Sequence, residues 1–225
     1  KSFDLGLILN DISYYFGMKQ LLKEGILETM TGDGADWLFG GYSFLWNKKD
    51  KYNEYVKEVL QHLDWSSNEI AKELLITVKQ PYLNSYLVNY ALQIPFHEKI
   101  QILNKEKYGD VAVEICKSFE ETNGNGKIWG KVNLRNALIS YLPEEIIWRQ
   151  KTDIEFGSGM TNLKNNLEDK ISNKELIEIQ KRTGIKFWGG KAQIYFYKIF
   201  ESIYGGIKSP KEDERECNSC GSGVE

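Results

Sequence analysis

Apolar positions along this chain recur mostly at helical spacing. Tyr52, Tyr55, Val56, Val59, Leu60 and Leu63 fall at i, i+3, i+4, i+7, i+8 and i+11, which is one face of a helix. Ala192, Tyr195, Phe196, Ile199, Phe200 and Ile203 repeat that spacing, and Gly205-Gly206 ends it. Ser66 and Glu69 stand at capping-box spacing, which predicts a helix from there to a stop before Pro81. Residues 83–93 read as another helix, ended before Pro95. Pro143 with Glu144 and Glu145 reads as a helix start. Ser172 and Glu175 form a second capping box, with Gly184 as the stop. The first segment, up to about residue 24, is broken in pattern by Gly6 and Gly17. Asn123-Gly124-Asn125-Gly126 reads as a loop.

One segment has strand character. Gly25-Ile26-Leu27-Glu28-Thr29-Met30-Thr31 is apolar and β-branched and runs straight into a glycine-rich turn. A single strand cannot make a sheet. Residues 25–31 are therefore expected to pair with strands outside that stretch, from an upstream segment, a partner chain or a second copy. The expected class is mainly α with a short β remnant. The strand and turn occupy 25–42, the helical region 43–207, and a polar tail 208–225.

Composition narrows the function. The 225 residues are 41% hydrophobic and 13% aromatic, enough for a packed core and unlike a disordered chain. The formal net charge is −3, from 29 basic and 32 acidic residues, which disfavours a nucleic-acid binder working by broad charge neutralisation. No run of about 18 apolar residues occurs, so no membrane span is expected. Three cysteines are too few for a disulfide scaffold and suit a reducing, cytoplasmic setting. The chain starts at Lys1 rather than methionine, so a fragment or a processed chain is expected.

Two segments carry candidate chemistry. In Thr31-Gly32-Asp33-Gly34-Ala35-Asp36-Trp37-Leu38-Phe39-Gly40-Gly41-Tyr42, the glycines let backbone approach a ligand closely. Two carboxylates at a strand exit suit a hard cation such as magnesium, which in turn holds phosphates. The plain alternative is a tight turn with an aspartate capping the next helix. In the second, Arg149 and Lys151 precede Gly157-Ser158-Gly159. A lysine before such a loop can neutralise charge on a phosphate leaving group, and the alternative is a solvated helix end.

In order and content these segments resemble the synthetase domain of asparagine synthetases, in the PP-loop ATP-pyrophosphatase superfamily. Other members form β-lactams or cyclise lasso peptides. The family's S-G-[ED]-G-[AS]-D-E-[LV]-F-G-G-Y signature matches residues 31–42 at nearly every place. Pro81-Tyr82-Leu83, Leu87-Val88 and Ala91-Leu92-Gln93-Ile94-Pro95 resemble its P-F-L-D…L-V…A…L-P stretch. Lys131-Val132-Asn133-Leu134-Arg135 resembles K-x-x-L-R, and residues 148–159 resemble its R-x-K…G-x-G loop. The likeness covers about residues 20–160.

The resemblance implies a carboxylate adenylated with ATP and Mg2+, release of pyrophosphate, and attack by ammonia or an amine to form an amide. It implies that Asp36 holds magnesium and that Asp33 is an acid near the reacting centre. It implies that Lys151 stabilises transition-state charge, and that Gly32, Gly34, Gly157, Ser158 and Gly159 bind the phosphates. The implied partners are a carboxylic acid (aspartate or an analogue), a glutaminase domain or subunit, and a segment or chain with the ATP-gripping S-G-G-x-D-S loop. That loop does not occur in this sequence, and residues 1–207 are expected to be the carboxyl part of the domain. Trp37 stands where the signature has glutamate, and Asn84 where P-F-L-D has aspartate. Thr77 and Lys79 stand where the family's S-x-E-x-R has glutamate and arginine.

Other residues offer weaker chemistry. Cys217 and Cys220 are half of a zinc site or a redox pair, or two plain thiols in a tail. A tRNA-modifying PP-loop enzyme is the reading they feed. Cys116 reads as a small packing residue and His97 as a surface or capping residue. A non-catalytic scaffold or regulator that kept the family shape is the remaining alternative.

Overall fold

Amphipathic repeats make most of this backbone helical, and short β pairs hold the turns between helices. The structure, a computed structural model, describes residues 3–103, 127–217 and 220–224. Cys116 and the loop at 123–126 lie outside the described residues. In chain order the elements begin with α1 (Leu5–Lys23), β1 (Glu28–Met30) and α2 (Ala35–Phe39). A 3-10 stretch (Ser43–Lys51) leads into α3 (Tyr52–Leu60), followed by α4 (Ser66–Leu74) and β2 (Thr77–Lys79). Next come α5 (Ser85–Gln93), α6 (Phe96–Lys99), β3 (Gln101–Leu103) and β4 (Lys127–Trp129). The chain continues with α7 (Val132–Leu138), α8 (Glu144–Ile147), α9 (Ile154–Gly157) and α10 (Met160–Glu168). It closes with α11 (Asn173–Thr183), α12 (Gly190–Tyr204), β5 (Arg215–Glu216) and β6 (Gly223–Val224). The chain is mainly helical with few short strands, as the sequence implied for this part of a synthetase domain.

The chain divides into two compact units, Leu21–Lys151 and a discontinuous one made of residues 1–20 and 152–225. In the first, Leu38, Phe39, Leu45, Tyr52, Val56, Ala91 and Ile94 form the main core, between α2, α3 and α5. A second cluster joins Trp129, Val132, Ile147 and Trp148. In the other unit, Ile171, Ile179, Ile185, Phe187, Ile194 and Tyr197 pack together around α11 and α12. Leu5 and Leu9 of α1 pack with Leu167 and Ala192.

Several local readings change. Gly6 and Gly17 do not break the first segment, because both lie inside a continuous α1. A helical glycine costs roughly 0.5–1 kcal/mol, less than burial of Leu5, Leu9 and Met18 returns. The helix at Ser66 ends at Leu74 rather than near Pro81, since Leu75 turns left-handed (φ 57°). Ile76-Thr77-Val78 is β-branched, and β2 pairs with β1 in parallel, Thr29 opposite Val78. The strand at 25–31 thus finds a partner within this chain, where an outside strand was expected. The Ser66 capping box is not formed, because Trp65 is the N-cap and no side chain caps it. The one at Ser172 is half formed, its Oγ accepting from Glu175 N at 3.1 Å.

The segment read as a tail carries the β5–β6 pair, and Cys220 packs against the Ile171–Tyr197 cluster. No helix among the described residues is long and apolar enough to cross a membrane.

Candidate active site

The strand-to-helix turn is built by glycine and by one carboxylate. Gly34 N-caps α2 with φ +89°, and a Cβ there would meet Leu83 Cδ2 at 2.5 Å. Asp33 fixes the turn. Its Oδ2 accepts from Thr31 Oγ1 at 2.5 Å, Ser67 Oγ at 2.6 Å and Gln80 Nε2 at 3.0 Å. Ser67 is buried on α4 and Gln80 directly follows β2, so one oxygen ties three elements to the turn. Ser67 and Gln80 carried no family signal that singled them out.

Asp36 lies in the first turn of α2 and pairs with Lys131, Nζ to Oδ1 at 2.9 Å. Both side chains are about three-quarters buried. Oδ1 is shielded from solvent and receives no directed hydrogen bond, so the contact is one of charge. Lys131 is held by geometry. It sits at φ +59°, caps α7, and donates its N–H to Phe39 O at 2.8 Å. Gly41 makes the pair possible, because a Cβ there would collide with the Asp36 carboxylate and with Lys131 Cε. Lys131 received no role in the sequence reading, although the K-x-x-L-R match marked its position.

Lys151 lies with its Nζ 5.1 Å from the centroid of the Tyr42 ring. Tyr42 is edge-on to Trp37 at 5.3 Å and tilted against Phe44 at 5.3 Å. Trp37, in place of the signature glutamate, thus supports the ring under the lysine. Tyr52 anchors Trp37 by donating its hydroxyl to Trp37 O at 2.5 Å. Burial pushes the Tyr52 phenol well above its ordinary range, and the Asp36 carboxylate adds to this.

Arg135 holds the segment that leads to Lys151. Its guanidinium donates to Ile147 O and, at 3.1 Å, to Arg149 O, while Nε donates to Gly130 O at 3.1 Å. It stacks over Trp129 at 4.8 Å and lies 5.8 Å from the Trp148 ring, and those rings meet edge-on. The sequence marked Arg135 by motif without giving it this task.

Gly157, Ser158 and Gly159 belong to the other unit. Their N–H groups are donated to Asp153 O, Ile154 O and Phe156 O at 2.9, 2.8 and 3.2 Å. A phosphate held by these groups requires that turn to open. Cys217 and Cys220 are in no disulfide. Among the described residues no cluster of three or more His, Cys, Asp or Glu gathers to hold a metal. Structural zinc takes four ligands, of which this pair is half.

Comparison with known proteins bears on this arrangement. The family model for asparagine synthase matches residues 56–186, more than half of the chain. The chain belongs to the asparagine synthase family. Among its relatives is a probable asparagine synthetase [glutamine-hydrolyzing] of Schizosaccharomyces pombe, 26% identical over 214 residues. That match takes in 91% of this chain and 36% of the relative. Asparagine synthetase B [glutamine-hydrolyzing] of Escherichia coli is 24% identical over 233 aligned positions, 100% of this chain and 37% of that protein. A putative asparagine synthetase [glutamine-hydrolyzing] 1 of Methanocaldococcus jannaschii is 29% identical over 177 residues, 69% of this chain and 32% of that protein. The chain spans about a third of the length of the curated relatives it matches.

Proposed function

We propose that this chain supplies part of the catalytic centre of an ATP-dependent ligase that forms an amide. A carboxylic acid, aspartate or an analogue, is adenylated with loss of pyrophosphate, and ammonia or an amine then displaces AMP. The loop that grips ATP comes from a segment or chain outside these residues, and a glutaminase domain or subunit is a source of ammonia. The names of the relatives, all glutamine-hydrolysing asparagine synthetases, support this reading.

The observation that carries it is the Asp36–Lys131 pair, in the same unit as Lys151 seated on Tyr42. Asp36 Oδ1 is a shielded carboxylate oxygen with charge opposite it and no directed hydrogen bond. One such oxygen fits magnesium held chiefly by phosphates, with Asp36 as a protein ligand. Bound there, the ion would neutralise charge on pyrophosphate. Lys131 keeps Asp36 in place and adds a cation beside the same phosphates. Lys151 bears on the charge that develops as the bond to pyrophosphate breaks. Asp33 positions the turn through Thr31, Ser67 and Gln80 and stands close in sequence to that centre.

The test is pyrophosphate release by the complete assembly with Lys151→Ala. It should fall about a hundredfold or more while the melting temperature stays near native. Undiminished release by that variant rejects the role. A non-catalytic subunit is the second reading. Trp37 in the signature and the internally bonded N–H groups at 157–159 favour it. Activity that persists with both Asp36→Asn and Lys151→Ala would establish it.

A further inference from the structure

The unit made of residues 1–20 and 152–225 contains a cavity of about 710 Å³. That size is ordinary for a small-molecule site and too small for a macromolecule. Its lining residues among the described ones all belong to that unit, whereas Asp33, Asp36 and Lys151 belong to the other.

Its wall is aromatic. Phe3, Phe200 and Tyr204 line it, with the Phe200 and Tyr204 rings 5.1 Å apart. Trp188 lines it too, and that indole is 81% exposed. The turn that presents it is fixed. Gly190 N donates to Phe187 O at 3.0 Å and Gly189 N to Gln193 Oε1 at 2.9 Å. A Cβ on Gly189 would press against Leu5 and Gln193.

Its charge is unbalanced. The lining carboxylates already have partners. Asp4 Oδ1 accepts the Leu7 N–H at 2.9 Å at the start of α1. Glu214 accepts the Lys211 N–H at 3.0 Å and pairs with the Lys211 ammonium at 3.4 Å. Lys186 and Lys208 also line the cavity and have no ion pair among the described residues. The wall therefore offers flat aromatic faces and two ammonium groups in no ion pair among the described residues, and its three lysines and two carboxylates leave one net positive charge.

We propose that this cavity binds a planar aromatic ring carrying a phosphate, of mononucleotide size, in addition to any nucleotide at the synthetase site. The ring stacks on Trp188 and Tyr204, and Lys186 and Lys208 receive the phosphate. The test is equilibrium dialysis of the whole chain with AMP, with adenosine and inorganic phosphate as partial probes. Saturable AMP binding is expected, at least about tenfold tighter than either partial probe. Lys186→Ala with Lys208→Ala should weaken it about tenfold or more, and so should Trp188→Ala. Trp188→Phe keeps a ring and should retain most of the affinity. Asp36→Asn should leave it unchanged, which separates this site from the synthetase centre. Three results overturn the proposal. They are no saturable AMP binding, binding indifferent to Lys186, Lys208 and Trp188, and binding lost in Asp36→Asn.

Discussion

At the end of α6, Lys99 is wholly buried, and its ammonium donates to the neutral amide of Asn53 at 2.6 Å. It also lies over the Tyr52 ring, 5.4 Å from the centroid. Burial pulls its pKa from 10.5 to about 8. The native value lies below the unfolded one, so the unfolded chain holds more protons between about 8 and 10.5. Stability contributed by this residue therefore rises with pH through that window, by up to about 1.4 kcal/mol per pH unit. Below the window the charge is buried in the native state and works against folding. Lys99→Met, of similar length, should flatten this dependence. Urea denaturation at about pH 7.5 and about pH 9.5 checks it, and equal slopes in both proteins would refute the assignment. Tyr52 is the companion case. Tyr52→Phe leaves Trp37 O without its donor in a partly buried place and should cost about 1 kcal/mol, read from the denaturation midpoint.

At the scale of elements, Arg135 binds the N-terminal half of α7's neighbourhood to the 147–149 segment through the carbonyls of Ile147 and Arg149. It acts on Lys151 through backbone, so it is a positioning residue. Arg135→Lys keeps the charge but loses the planar fork and the stacking on Trp129. In the complete assembly, kcat for pyrophosphate release should fall about tenfold while KM stays near its original value. A tenfold rise in KM with kcat unchanged would instead mean that Arg135 helps to bind substrate. This element also shows what sequence could and could not reveal. K-x-x-L-R located Lys131 and Arg135, and the signature located Asp36, because their order along the chain is linear information. The pairing of Lys131 with Asp36 is not linear. It depends on Gly41 having no Cβ and on Lys131 adopting a positive φ. The β1–β2 pair was hidden for a similar reason. Residues 66–74 are helical by pattern, and the left-handed Leu75 that stops them has no glycine or asparagine to announce it. Helices with one clear apolar face, α3 and α12, were legible from spacing alone.

At the scale of the whole molecule, the two units explain why the first residues matter to the last. Phe3 lies 5.2 Å from both the Tyr197 and Phe200 rings, and Leu9 packs with Leu167 and Ala192. The amino-terminal segment thus completes a core whose other members lie more than 150 residues along the chain. Nothing local could reveal this, because closure of so long a loop is decided by burial at its ends. The candidate centre at Asp36 draws its core from Leu38, Tyr52 and Val56 instead. Leu9→Ala should therefore loosen one unit selectively. Leu9 is 3% exposed, and its truncation should cost about 2–5 kcal/mol. Hydrogen exchange should quicken in α10 and α12 and change little in α2 and α3, because sub-global opening follows the units that share a core. Faster exchange in α2 and α3 to the same degree would mean that the two units unfold as one. In that case the cavity at Trp188 and the centre at Asp36 would share a single stability. A ligand bound in the cavity would then protect both, by an amount set by its concentration relative to Kd.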